Sequence, residues 1–265
     1  MIQWYPGHMA KTKREIKENL KLIDIVYFVL DARCPFSSFN EDILAVVENK
    51  PILYLYNKSS LSDYHKLVKL NLNEPYLIID SLKKININKI TFKTRDILAE
   101  LLKTKTNQGY SNYQIKALVM GIPNVGKSTL INTLTRAKKA STNPLPGHTR
   151  RLAWIRTKDD ILLLDTPGVL WPKLEEKVSY HLALSGAIKE EIIKEEKLAY
   201  YGLRFIFKYY PHFLKYYDIE ITKKEDFFEQ LQEKRGLKLL SEAYTIFLRD
   251  LKEGKLGAVV FDRDN

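Results

Sequence analysis

The sequence predicts an α/β fold, a mostly parallel sheet flanked by helices, followed by a smaller domain made only of helices. Three observations carry this. Short runs rich in β-branched and aliphatic residues recur up to about residue 188, each followed by a loop and a stretch of helical spacing, as in strands buried on both faces. Beyond that point apolar residues fall three and four apart. The charge changes at the same place: residues 1–188 carry 28 basic and 17 acidic side chains and residues 189–265 carry 15 of each, so the whole net charge of +11 lies in the first part. Domains are therefore expected at 1–188 and 189–265.

Taken in order, strands are expected over Ile23–Leu30, Ile52–Tyr56, Tyr76–Ile79, Lys116–Met120, Leu152–Arg156 and Ile161–Leu164. Helical spacing fills Asn40–Glu48, Ile90–Leu102 and Ser128–Leu134 between them. The second part reads as helices over Ala187–Tyr201, Leu203–Tyr217, Lys223–Lys234 and Leu237–Leu251, broken at Gly202, Pro211, Gly236 and Gly254. With 45% hydrophobic residues the chain can bury a core, and global disorder is excluded. The single cysteine, Cys34, excludes an intramolecular disulfide and a cysteine-based zinc site. No run approaches the roughly 18 apolar residues of a membrane span, so a cytoplasmic protein with no membrane partner is expected. Its pI near 9.4 points to a polyanionic partner, nucleic acid ahead of a membrane surface.

Gly121-Ile-Pro-Asn124-Val125-Gly126-Lys127-Ser128-Thr129 follows an expected strand and opens an expected helix. In this pattern backbone N–H groups turn onto phosphate oxygens, Lys127 reaches the β- and γ-phosphates, and the Ser128 hydroxyl ligates Mg2+. Downstream, Asp165-Thr-Pro-Gly168 ends a strand with a carboxylate for the magnesium side and a backbone N–H that senses the γ-phosphate. Thr149, in the polar loop between them, is a candidate Mg2+ ligand of the mobile-switch type; a solvated surface threonine is the bland alternative. Guanine is read in GTPases by Asn-Lys-x-Asp and a short serine-containing element. Here Asn57-Lys58-Ser59-Ser60 and Asp80-Ser81 end the second and third strands, ahead of the phosphate loop instead of behind it. A parallel sheet accommodates that order when the usual termini are joined, here through the mostly helical stretch from Leu82 to Gln114, and new ones opened. The fold class becomes a circularly permuted P-loop GTPase domain with a small all-α C-terminal domain.

Trp4-Tyr-Pro-Gly-His8-Met9, Asp31-Ala-Arg33, Gly121–Ser128, Pro146-Gly-His-Thr149 and Asp165-Thr-Pro-Gly-Val-Leu-Trp-Pro172 resemble, nearly end to end, the ribosome biogenesis GTPase A family, also called YlqF. The resemblance implies GTP hydrolysis stimulated by the ribosome and a role in late maturation of the large ribosomal subunit. The position after Asp165-Thr-Pro-Gly168, a water-orienting glutamine in many GTPases, is Val169 here, and an apolar side chain holds no water. His8 is the catalytic candidate that the family motif supplies; a structural histidine in an N-terminal turn is the bland alternative. Asn124 resembles the asparagine with which similar GTPases hold K+ beside the phosphates, or it merely fits the loop.

Basic residues cluster at Lys11, Lys13, Arg14, Lys17 and Lys21, and again at Arg136, Lys138, Lys139, Arg150 and Arg151. Phosphate contacts there would couple binding of precursor rRNA to the nucleotide state. The aromatic pairs Tyr209-Tyr210 and Tyr216-Tyr217 read as core, with base stacking the minor alternative. The leading function is a GTP/GDP switch on the large-subunit precursor; the other reading is a nucleotide-gated RNA-binding assembly factor with incidental turnover. A metabolic P-loop kinase is disfavoured by the base-reading loops. One departure stands out: Ser60 occupies the place of the guanine-reading aspartate. Weakened guanine affinity and selectivity are expected, with Ser60→Asp tightening GDP binding. Asp63 lies too late, in the next helix's first turn, to take over.

Overall fold

β1 (Ile25–Asp31) is buried along its whole length, because its alternate residues face two separate apolar layers. Ile25, Tyr27 and Val29 join one core; Val26, Phe28 and Leu30 join the other. The strand is therefore covered on both faces, as a near-continuous apolar run requires. The computed structural model describes residues 6–47, 49–135, 154–168, 170, 174–189, 193–219 and 226–263, with the backbone alone for 6–12.

β2 (Ile52–Asn57), β3 (Tyr76–Ile78), β4 (Lys116–Met120), β5 (Trp154–Arg156) and β6 (Leu162–Asp165) complete a six-stranded sheet in the order β3-β2-β1-β4-β6-β5. All neighbours pair in parallel except β5, an antiparallel edge strand. Register places Asp31 beside Asn57 and Val119 beside Asp165. The loops after β1, β2, β3, β4 and β6 thus open on one edge, the carboxyl edge where open α/β sheets bind ligands.

One layer of helices holds α1 (Pro6–Asn19), α2 (Glu41–Leu44) and α3 (Tyr64–Leu67), anchored through Ile16, Ile43 and Leu67. The opposite layer holds α4 (Asn88–Ile97) and α6 (Lys127–Leu134), with α5 (Ala99–Asn107) continuing α4 after Leu98. α4 and α5 carry the chain from the edge strand β3 back to the central strand β4, the join that the permuted order needs. α7 (Glu176–Leu184), α8 (Glu195–Tyr209), a 3-10 segment Pro211–Tyr217, α9 (Phe227–Arg235) and α10 (Leu240–Lys252) pack onto the same core. Tyr210 and Tyr217 are buried in it, whereas Tyr216 is exposed.

Several boundaries differ from the sequence expectation. The expected helix over Asn40–Glu48 is a single turn, α2, closed by the Asn40 side chain accepting from the Ile43 N–H. The helix expected from Ala187 begins at Glu195 and runs through Gly202, which was expected to break it. There a Cβ would meet Leu184 Cδ2 and Phe247 Cε1 at 3.2 Å, so this glycine lets helices approach closely. Pro211 does end α8, and Gly236 closes α9 in the left-handed conformation.

Candidate functional site

The loop after β4 is shaped by its glycines. Gly126 sits at φ +98, and a Cβ there would collide with the Asn57 amide. Asn57 uses that proximity: its Nδ2 donates to the Val125 carbonyl at 2.9 Å. Its Oδ1 accepts from the Ser81 N–H and hydroxyl, both at 2.9 Å. One buried side chain therefore ties together the loops after β2, β3 and β4. Thr133 in α6 sets its hydroxyl between the Thr129 carbonyl at 2.8 Å and the Ser81 carbonyl at 3.0 Å, on the other flank. Asn57, Ser81, Val125 and Gly126, expected from the sequence to contact nucleotide, thus lie together in one cluster.

Lys127, 7% exposed, points its ammonium back into the loop and donates to the Gly121 and Ile122 carbonyls at 3.0 and 2.8 Å. Burial pushes it down to about 8, opposed by the Asp165 carboxylate. Asp165, at the end of β6, is pushed up to about 6 by burial, against the pull of Lys127 and the Thr166 N–H. Its Oδ1 is buried with no hydrogen-bond partner among the described residues. A carboxylate oxygen kept out of water and unpaired is costly unless a ligand satisfies it. Gly168 lies against the phosphate loop, where a Cβ would come within 2.7 Å of the Pro123 nitrogen and 3.0 Å of Lys127 Nζ. The backbone after Asp165 is thus seated on the phosphate loop itself. Mg2+ fits this donor set: a hydroxyl at Ser128 and a carboxylate with an unpaired oxygen, both oxygen ligands. Thr149 and Val169 lie outside the described residues.

Lys58 adopts φ 61, and its ammonium pairs with Asp31 Oδ2 at 2.9 Å. Asp31 also receives Arg33 in a two-pronged contact, Nε to Oδ1 at 2.9 Å and an amino nitrogen to Oδ2 at 2.8 Å. Burial alone would raise the Asp31 carboxyl; the charges of Arg33 and Lys58 hold it well below the usual carboxylate range. The hold of Asp31 on Lys58 was not legible in the motif, because nothing in residue spacing shows that β1 and β2 are neighbours. Ser59 donates its N–H to the Ile79 carbonyl, and Ser60 donates N–H and hydroxyl to Asp80 Oδ2 at 3.2 and 2.6 Å. Asp63 caps α3 by accepting from the Lys66 N–H, so it stays where the sequence placed it.

Asn124, exposed and at φ 57, donates its amide to the Ala187 carbonyl at 3.3 Å. Asparagine tolerates that backbone conformation, which gives it a structural reason to stand there. His8 falls in the first turn of α1, within the stretch for which only the backbone is described. Arg136, Lys138, Lys139, Arg150 and Arg151 lie outside the described residues. Arg14, Lys17 and Lys21 are exposed, beside the buried Ile16 that anchors α1.

Residues 116–236 match the family model described as a 50S ribosome-binding GTPase. A Bacillus licheniformis protein named ribosome biogenesis GTPase A is 40% identical across 99% of this chain and 98% of that one. Its Thermotoga maritima namesake is 30% identical across 99% and 94%. In fold, the chain resembles the crystal structure of GNP-bound YlqF from T. maritima, with a TM-score of 0.59, 22% identity, and 96% and 98% of the two chains covered.

Proposed function

Because the chain belongs to the ribosome biogenesis GTPase A family, we propose that it is a GTP-hydrolysing switch that binds the precursor of the large ribosomal subunit and promotes its late assembly. The coarse activity, a GTPase of ribosome biogenesis, follows from membership. One observation supports the nucleotide-switch reading most. The buried Asn57 bridge joins the loops after β2 and β3 to the phosphate loop, so a single nucleotide can meet all three. The unpaired Asp165 oxygen lies on the same carboxyl edge of the sheet.

Ser128 and Thr149 would hold Mg2+, with Asp165 nearby; the ion supplies neutralising charge to the β- and γ-phosphates. Lys127 must exchange two loop carbonyls for phosphate oxygens, a trade of neutral for charge-assisted hydrogen bonds. Gly168 brings the backbone after β6 onto the phosphate loop, which supports its proposed role as the γ-phosphate sensor. Asn124 is proposed as a K+ ligand. His8 is proposed as the group that orients the attacking water, since the position after Gly168 is the apolar Val169. The exposed basic face of α1 and the clusters at 136–139 and 150–151 are proposed to contact rRNA phosphates, with residues 189–265 a second contact. No helix among the described residues is long and apolar enough to cross a membrane.

The test is co-sedimentation with large-subunit precursor particles. Binding is expected to be stronger with a non-hydrolysable GTP analogue than with GDP and to fall steeply with salt. Equal binding in both nucleotide states, or a flat salt response, would contradict the proposal.

A further inference from the structure

We propose that Ser60 and Asp80 act as a pair in place of the missing guanine-reading aspartate, with Asp80 holding the Ser60 hydroxyl as an obligate hydrogen-bond acceptor for the base. This rests on the guanine-nucleotide reading above.

Guanine offers two donors on its recognition edge, N1–H and the 2-amino group, whereas adenine presents a lone pair at N1. An aspartate at position 60 would accept both donors. A serine hydroxyl left to itself does not discriminate, because it carries one donor and two lone pairs and rotates to suit either base. Here it is not left to itself. Ser60 Oγ lies 2.6 Å from Asp80 Oδ2, and the Ser60 N–H reaches the same oxygen at 3.2 Å. Asp80 cannot turn away, since its Oδ1 accepts from the Lys83 N–H at 2.8 Å. Burial alone would raise its carboxyl, but the Lys83 and Leu82 N–H groups and the two Ser60 donors hold it below its ordinary value.

An ionised carboxylate only accepts, so the hydroxyl proton must point at Asp80. Both lone pairs of Ser60 Oγ are then directed away from that carboxylate. Asp80 is 3% exposed and Ser60 half-buried, so of the two residues Ser60 is the one a ligand can reach. A hydroxyl that already donates to an anion is also a stronger acceptor, because consecutive hydrogen bonds polarise one another. Facing adenine, the same oxygen would set lone pair against lone pair. Asp80 is therefore a positioning residue for base selectivity, acting through Ser60. The contact also reverses the expectation for Ser60→Asp alone. Two carboxylates at hydrogen-bond distance resist joint ionisation, so that variant is expected to bind GDP no more tightly than the natural chain.

The experiment titrates the full chain and its Asp80→Asn and Ser60→Asp/Asp80→Asn variants with GDP, ADP and xanthosine diphosphate. The natural chain is expected to prefer GDP to ADP. Asp80→Asn keeps an acceptor for Lys83 but lets the serine proton swing outward, and is expected to lower GDP affinity about ten- to a hundredfold. ADP binding, which depends on the phosphate contacts, is expected to change little, and xanthosine diphosphate to gain relative to GDP. The exchange variant moves the carboxylate to position 60 with an amide behind it, and is expected to restore the preference for GDP. Restoration is not what a merely structural role for Asp80 would give. If Asp80→Asn alone does not fold, a folded exchange variant that favours GDP supports the pair, and one that does not overturns it. GDP binding with unchanged selectivity in Asp80→Asn would overturn the pair and leave the nucleotide reading standing. A natural chain that binds no nucleotide would overturn both.

Discussion

Asp165 and Lys127 are ionisable groups that the phosphate site keeps largely out of water, and burial shifts each toward its neutral form. Asp165, pushed up to about 6, binds its proton more tightly folded than unfolded. Its contribution to stability therefore falls as pH rises from 3.8 to about 6, and the deficit remains above that. Lys127, pushed down to about 8, gives the mirror case: stability rises as pH climbs from about 8 to 10.5. Near neutral pH both charges are held at a disadvantage that a bound phosphate and its cation would relieve. Mg2+-dependent GTP binding is thus expected to weaken as pH falls below about 6, where Asp165 takes up its proton. Asp165→Asn is expected to weaken the Mg2+ dependence, with Ser128 and Thr149 still in place, while leaving Mg2+-free GDP binding largely intact. Titrations with and without Mg2+ across about pH 5 to 8 check both statements; an undiminished Mg2+ dependence in the variant would contradict them.

At the scale of elements, strands and phosphate loop were legible because their signals are local. β4 falls over the residues that the apolar run marks, and Gly126 is required by a backbone conformation written into the motif. Helix ends in the second half were less legible, since tertiary packing decides them. Gly202 shows why: in sequence it reads as a break, but α8 continues through it because Leu184, Phe247 and Leu251 fill the space over its missing side chain. Gly202→Val is expected to overpack this contact and cost about 1–3 kcal/mol. Denaturant unfolding measures it; unchanged stability would mean that the helices part without penalty. In the site, Asn57, Ser81 and Lys127 were identified by motif, but the Ser60–Asp80 contact was not. It joins residues 20 apart on two strand ends, and only the sheet order brings them together.

Across the whole molecule, the apolar layer that begins on β1 runs without interruption into α8, α9 and α10. The polar connection is as direct. Arg33, paired with Asp31, also donates to the Ser185 and Lys252 carbonyls at 2.6 and 3.0 Å. The tail returns to the base loop, with the Val259 N–H on the Leu61 carbonyl and the Phe261 N–H on that of Arg33. Asp262 caps the turn after β1 through the Phe36 and Ser37 N–H groups at 2.8 Å, and pairs with the buried His181 at 2.8 Å. Lys58, held by Asp31, is therefore linked through that carboxylate to Arg33, which is bonded to the helical part. These contacts join the helical part to the ends of β1 and β2, where the expected base-reading residues lie. The central claim, a GTPase whose turnover belongs to the ribosome, is tested most directly by multiple-turnover GTP hydrolysis with and without large-subunit precursor particles. The natural chain and His8→Ala are compared in KCl and in NaCl at equal ionic strength. Particles are expected to accelerate the natural chain, more in KCl than in NaCl, and His8→Ala to lose most of that acceleration while still binding GTP. Turnover that is unchanged by particles would contradict the account.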